Sequence, residues 1–146
     1  MSEIEIKILT QFCESPGPRY CRQGKWSGEQ FYHEILNQAF AEAYQNGEKL
    51  FLDLDGTDGY MSSFLDEAIG NLVYDFGMQV VIDSLEIISL EEPVWRKVIE
   101  NEVIPEWNKY KSEGTQPKKT SRKDHPSWFR LIDGELKKSV WISSAI

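Results

Sequence analysis

The chain has 146 residues, 40% of them hydrophobic and 27% charged, which is about one domain's worth of material and enough to close one core without staples. Sixteen Lys and Arg against 24 Asp and Glu give a formal charge of −8, which argues against a general nucleic-acid binder. No apolar run approaches the roughly 18 residues of a membrane span, and a start carrying Glu3 and Glu5 without a basic stretch is not read as a secretory signal, so a cytoplasmic protein without a membrane partner is expected.

Ile4, Ile6 and Ile8 alternate with Glu5 and Lys7, the period of a half-buried strand. Ser15-Pro16-Gly17-Pro18 marks a loop, and Arg19 to Trp26 reads as a second short strand. Ser27 with Gln30 has capping-box spacing. Phe31, Ile35, Ala39 and Ala43, with Leu36 and Phe40 beside them, then form one apolar helix face that Asn46-Gly47 stops. Leu50 to Asp55 is almost continuously apolar, the mark of a central strand covered on both faces. After the turn Gly56-Thr57-Asp58-Gly59, the stripe Leu65, Ala68, Ile69, Leu72, Val73 and Phe76 places a helix between Ser62 or Ser63 and Gly77. Of the runs Val80 to Ile82 and Leu85 to Ser89, at least one is a strand. Ser89 and Glu92 repeat the capping spacing, and Pro93 suits a first turn. Val94, Trp95, Val98, Ile99 and Val103 continue as a helix that Pro105 kinks or ends.

Charge divides the chain. Residues 1–108 hold 7 Lys and Arg against 20 Asp and Glu, net −13, while residues 109–146 hold 9 against 4, net +5. Lys111 to Pro126 has no apolar period and reads as a linker or mobile loop, with the run around Lys118 solvated. Trp128 to Ile132 and Ser139 to Ile142 flank Asp133-Gly134 in the pattern of a hairpin. The expected architecture is α/β: residues 1–108 as a mixed sheet of about four or five strands with about three helices, in the order β-β-α-β-α-β-α. Residues 109–146 form a basic linker and C-terminal extension.

Cys13 and Cys21 read as free thiols, and neither they nor His33 and His125 have metal-ligand spacing, so no metal and no cofactor is expected. His33 lies beside an apolar helix face and reads as packed or exposed rather than catalytic. Arg19, Arg22 and Lys25 read as solvated surface charge, and Trp95 and Trp107 as core or interface.

Chemistry concentrates in Phe51 to Gly70. Asp53-Leu54-Asp55-Gly56-Thr57 resembles the D-x-D-G-T motif of haloacid-dehalogenase-type phosphatases. That resemblance implies Asp53 as nucleophile, Asp55 as general acid/base and Mg²⁺ on the phosphate. The rest of the chain departs from it. Asp58 stands where an apolar residue is usual, no Lys lies between Lys49 and Lys97, and Glu91-Glu92, the downstream acidic pair, falls in a helix's first turn. A calcium loop fails on Asp58 and Phe64, where Gly and Glu are required.

Ser62-Ser63-Phe64-Leu65, at the head of a helix after a central strand, is similar to the serine run of anti-sigma-factor antagonist STAS domains. Met61 and Phe64 replace their usual Asp and Gly. A broader resemblance, over roughly residues 15 to 100, is to the STAS-like domain family of unknown function. It is carried by Pro16-Gly17-Pro18-Arg19, Ser27-Gly28-Glu29-Gln30-Phe31, Asp53 to Thr57 with Gly59-Tyr60, and Ser62 to Ala68 with Gly70. The resemblance implies a non-enzymatic regulatory or partner-binding module, with a histidine-kinase-like ATPase as partner and Ser63 where a phosphorylated serine would fall. Its contact surface would be Asp55, Thr57, Asp58, Tyr60, Ser62, Ser63, Phe64, Asp66 and Glu67. Three roles stay open for the serine pair: capping alone, with Ser62 as the cap, phosphorylation, or direct partner contact. Two other functions also remain open, the phosphatase and a structural subunit whose 128–142 hairpin builds a homo-oligomer.

Overall fold

Alternating isoleucines and the leucine run produce the first two strands of a parallel sheet. A computed structural model describes residues 4–120 and 128–139. In it, β1 (Ile4–Lys7), β2 (Leu50–Asp53) and β3 (Leu85–Ile88) lie side by side in that order, all parallel. The register aligns Ile4, Leu50 and Leu85, then Ile6, Leu52 and Ile87, on one face. Glu5, Phe51 and Glu86, then Lys7, Asp53 and Ile88, lie on the other. Strand order advances in one direction, so crossovers of one hand lay the connecting helices on a single face. That face is the buried one: Ile6, Leu50, Leu52 and Ile87 are all core. β2 is central as expected, but only one of its faces is sealed, and Phe51 and Asp53 are half-exposed.

The expected sheet of four or five strands is thus three parallel strands and a separate antiparallel pair. Arg19 to Trp26 is no strand, and a single 3₁₀ turn spans Cys21–Gln23. Its flanking carbonyls serve a helix instead: Pro18 and Arg19 accept the N–H groups of Gly28 and Glu29 at 2.9 and 3.0 Å, orphan donors of a helix's first turn. Val80 to Ile82 lies in a helix, and Leu85–Ile88 is the strand of that pair.

After the one-turn helix α1 (Ile8–Gln11), a continuous helix runs over 28–46. It comprises α2 (Gly28–Phe31), a π turn (Tyr32–Leu36) and α3 (Asn37–Asn46). Ser27 caps it, its hydroxyl accepting the Gln30 N–H at 3.0 Å. The helix α4 (Ser62–Phe76) is the most buried element and is followed by α5 (Met78–Ser84). Two glycines let its neighbours close on it. A Cβ on Gly28 would lie 2.4 Å from the Phe64 carbonyl oxygen, and one on Gly70 would lie 2.0 Å from the Trp107 ring.

α6 (Val94–Val98), a π turn (Ile99–Val103) and α7 (Ile104–Glu113) form one helix over 94–113, so Pro105 does not end it. The wider turn accounts for this. Ile104 N–H bonds to Ile99 O, five residues back, and Pro105 falls in the first turn of α7, where its missing N–H breaks nothing. Ser89 does not cap this helix: its hydroxyl donates to the Glu92 carbonyl at 2.6 Å. α7 also runs on to Glu113, past the start of the stretch read as a linker. The hairpin forms as β4 (Trp128–Ile132) and β5 (Glu135–Ser139) around Asp133-Gly134, both at positive φ (51° and 79°) as a two-residue turn requires. Its second strand is earlier than expected, and residues 140–142 lie outside the described ones.

Candidate partner-binding site

In an open α/β sheet, ligands meet the loops at the carboxyl ends of the strands. Here those are the loop from β2 to α4 and the loop from β3 to α6. Carboxylates knit them together. Asp53 accepts the Asp55 N–H at 2.9 Å and sits 3.5 Å from Lys7 Nζ. Asp55 accepts the N–H groups of Leu90 and Glu91 at 3.1 and 3.0 Å. Glu91 returns the bond, accepting the Gly56 N–H at 2.6 Å. Thr57 Oγ1 accepts the Gly59 N–H at 3.3 Å, and Asp58 accepts from the Ser15 hydroxyl. The two aspartates of the D-x-D-G-T run therefore fasten loops in this arrangement. No cluster of three or more metal-ligating side chains occurs among the described residues.

Tyr60 closes the loop from inside. Its hydroxyl donates to the Leu54 carbonyl at 2.7 Å, and its ring lies 5.9 Å from Phe64 and 6.4 Å from Trp95. Burial holds its phenol well above the usual tyrosine range. The Tyr60–Trp95 contact joins the two loops, and three apolar residues on or beside these loops, Met61, Val94 and Leu90, stay uncovered. All three are exposed, at 57%, 54% and 80%.

α4 begins without a side-chain cap. Met61 holds the N-cap position, and Ser62, expected there, is already the first helical residue. Ser62 is exposed and Ser63 half-exposed, and neither hydroxyl has a hydrogen-bond partner among the described residues. The first-turn N–H groups of a helix carry a partial positive charge. This end therefore presents two hydroxyls and backbone donors next to the exposed Met61.

Asp55, Thr57, Asp58, Tyr60, Ser62 and Ser63 thus gather at one place. Phe64 and Glu67 do not belong to that surface, being 0% and 1% exposed. A helix turns every fourth residue to the same side, and in α4 that side faces the core. Phe64 packs among Phe12, Phe31 and Tyr60. Glu67 lies under Arg19, 3.3 Å away, and accepts from Asn71 at 2.8 Å. Asp66 is tied down by Arg19 at 2.5 Å and the Trp107 indole at 3.1 Å. Arg19 is accordingly part of an ion-pair network, not free surface charge.

Sequence reading missed a second constellation. Glu29, His33 and Asn37 on the 28–46 helix, and Glu67, Asn71 and Asp75 on α4, are all buried. Their signal was present as polar residues repeating at four on otherwise apolar helix faces. Lys119, expected to be solvated, lies with its Nζ 2.8 Å from His33 Nε2 and 3.2 Å from Asn71 Oδ1. Burial raises the pKa of Glu67 and of Asp75 and lowers that of Lys119, with the surrounding opposite charges opposing each shift. Cys13 and Cys21 are free, and burial pushes the Cys21 thiol up to about 11.

Residues 27–95 match a family model described as a STAS-like domain of unknown function. The match takes in the Ser27 to Phe31 block, the aspartate loop and the α4 start, whereas Pro16 to Arg19 precedes it. No curated protein and no solved structure matches the chain.

Proposed function

Proceeding from the match of residues 27–95 to the STAS-like domain family of unknown function, we propose that the chain is a non-enzymatic regulatory module that binds a protein partner through residues 57–63. The observation that carries this reading is the uncapped start of α4, with two hydroxyls that have no partner among the described residues next to the exposed Met61. An exposed apolar side chain beside unpaired polar groups suits a protein partner. The partner is a kinase-like ATPase, and Ser63 is its point of control. ATP supplies the phosphoryl group to Ser63 Oγ and leaves as ADP. The phosphate adds about −1.5 to −2 charges beside Asp58 and Asp66 and repels an acidic partner surface. No helix among the described residues is long and apolar enough to cross a membrane, and the module works in the cytoplasm.

A photo-cross-linking residue replacing Met61 in the full chain tests the contact, with the same group at the exposed Gln45 as control. The expected result is a kinase-like ATPase, identified by mass spectrometry, attached at position 61 and not at 45. Equal capture at both positions, or none, overturns the reading. Ser63→Asp should lower capture at least tenfold, and unchanged capture removes the switch while leaving the contact.

A further inference from the structure

The two buried polar stripes face the C-terminal extension, and five of their six side chains hold it directly. Glu29 accepts both the N–H (2.7 Å) and the hydroxyl (2.5 Å) of Thr120. Lys119 reaches His33 and Asn71, with its ammonium 5.8 Å from the Tyr32 ring centre. Asn37 takes the Phe129 backbone from both sides, accepting its N–H at 2.7 Å and donating to its carbonyl at 2.9 Å. Asp75 accepts from Arg130 Nε at 3.0 Å. This is how extended peptides are read: main-chain bonds hold any sequence, and side-chain pockets select one. Here the pockets select a lysine and an arginine.

The described part of the extension contributes little to the core. Among the described residues, every fully buried apolar side chain lies between Ile6 and Trp107, and Phe129, Leu131 and Leu136 are only partly covered. Lifting the extension therefore exposes mainly polar groups, which water can solvate. Opposite charges on residues 1–114 (net −12) and residues 115–146 (net +4) favour its return. We infer that the groove between the 28–46 helix and α4 is a recognition site for an extended, basic peptide segment, and that residues 115–120 and 128–132 are its tethered occupant, able to detach while the body stays folded. A tether gives the occupant an effective concentration on the order of millimolar, so the groove opens to a partner's basic segment only when the extension is weakened or outcompeted. The groove is separate from the Ser62–Ser63 surface, and the inference stands without it.

Hydrogen exchange on the unaltered chain gives the first test. The amides of Thr120 and Phe129, which bond to groove side chains, should exchange at least 100-fold faster than those of Ile69 and Leu72 inside α4, and without dependence on low denaturant. Exchange of all four at one rate overturns the inference, because the extension would then leave only on global unfolding. The second test uses the full chain carrying Lys119→Ala and Arg130→Ala, with a fluorescent synthetic peptide of residues 115–139. The opened chain should bind this peptide at least tenfold more tightly than the unaltered chain does, and should not bind a peptide with the same two substitutions. Equal binding by both chains, or to both peptides, overturns the proposal. So does sedimentation of the unaltered chain as a dimer with exchanged extensions, which would make the occupant a second copy's.

Discussion

The first turn of α4 and the three turns that follow treat polar side chains in opposite ways. Ser62 and Ser63 stand at the surface with no hydrogen-bond partner among the described residues. Glu67, Asn71 and Asp75, on the same helix, are buried and bonded at every position. Water satisfies an exposed hydroxyl, so leaving it open costs almost nothing, and a visitor can replace the water. A buried carboxylate or amide without a partner costs about 1–3 kcal/mol or more, so such a site must be filled at all times, by the chain itself if nothing else is present. One helix therefore carries an open site and a filled one, and the two should respond differently to substitution.

The largest expected effect moves both regions together. Gly70→Ala places a methyl group 2.0 Å from the Trp107 ring. Trp107 is itself buried and bonded to Asp66, so it has little room to yield. Overpacking of this kind costs 1–3 kcal/mol and occasionally more, and a loss of about 3 kcal/mol is expected in urea unfolding. A midpoint that does not move would break the account of α4 docking on α7. Next in size is Asp75→Ala, which acts on the filled region alone. It leaves Arg130 and the Tyr32 hydroxyl without their carboxylate. The expected loss is about 2 kcal/mol by urea unfolding, with near-zero loss showing that the extension contributes nothing to stability through Asp75.

Titration separates the regions further. Burial raises the Glu67 carboxyl above its ordinary value, against the opposing pull of Asn71, Arg19 and Lys119. The folded state therefore holds this proton more tightly than the unfolded chain does. The stability it contributes is fully present below the ordinary glutamate value and is lost as pH rises through the raised, folded value. Asp75 behaves alike, from a slightly lower ordinary value. Glu67→Gln removes one of the two contributions. The stability of the variant minus that of the unaltered chain should become more positive as pH rises through this window and then level off. A constant difference from acid to neutral pH would show that burial does not control Glu67.

Much of the frame was legible because it rests on local periodicity. The Ile4–Ile6 alternation, the apolar stripe that ends at Gly47 and the Ser62-to-Gly77 helix needed nothing beyond side-chain spacing, although Ile8, read with the strand, begins a helical turn. The failures share a cause, since each depended on where the rest of the chain sits. Arg19 to Trp26 alternates enough for a strand, yet it pairs with no strand among the described residues, and its Arg19 carbonyl goes to a helix. Pro105 is harmless only because a π turn precedes it. The site was half legible: the serines and the aspartate loop showed themselves as motifs, but that loop's partners Leu90 and Glu91 come from another strand's loop. Phe64 and Glu67 looked like surface because the motif was read without the direction each side chain takes. Lys119 looked like solvated charge because its partners His33 and Asn71 lie on two helices far away in sequence.

The smallest effects belong to the open turn, and they are the sharpest test of the contrast. Met61 occupies the N-cap position without supplying an acceptor. An aspartate there can accept a first-turn N–H and place a negative charge at the positive end of a 15-residue helix. Met61→Asp should therefore stabilise the chain by about 1 kcal/mol in urea unfolding. Ser62→Ala, at the next position, should change it by no more than about 0.5 kcal/mol, because its hydroxyl bonds nothing in the protein. If Ser62→Ala instead costs as much as Asp75→Ala, the hydroxyl already has a structural partner and the turn is not open. If Met61→Asp gains nothing, the first-turn donors are already satisfied, and the same conclusion follows from the backbone side.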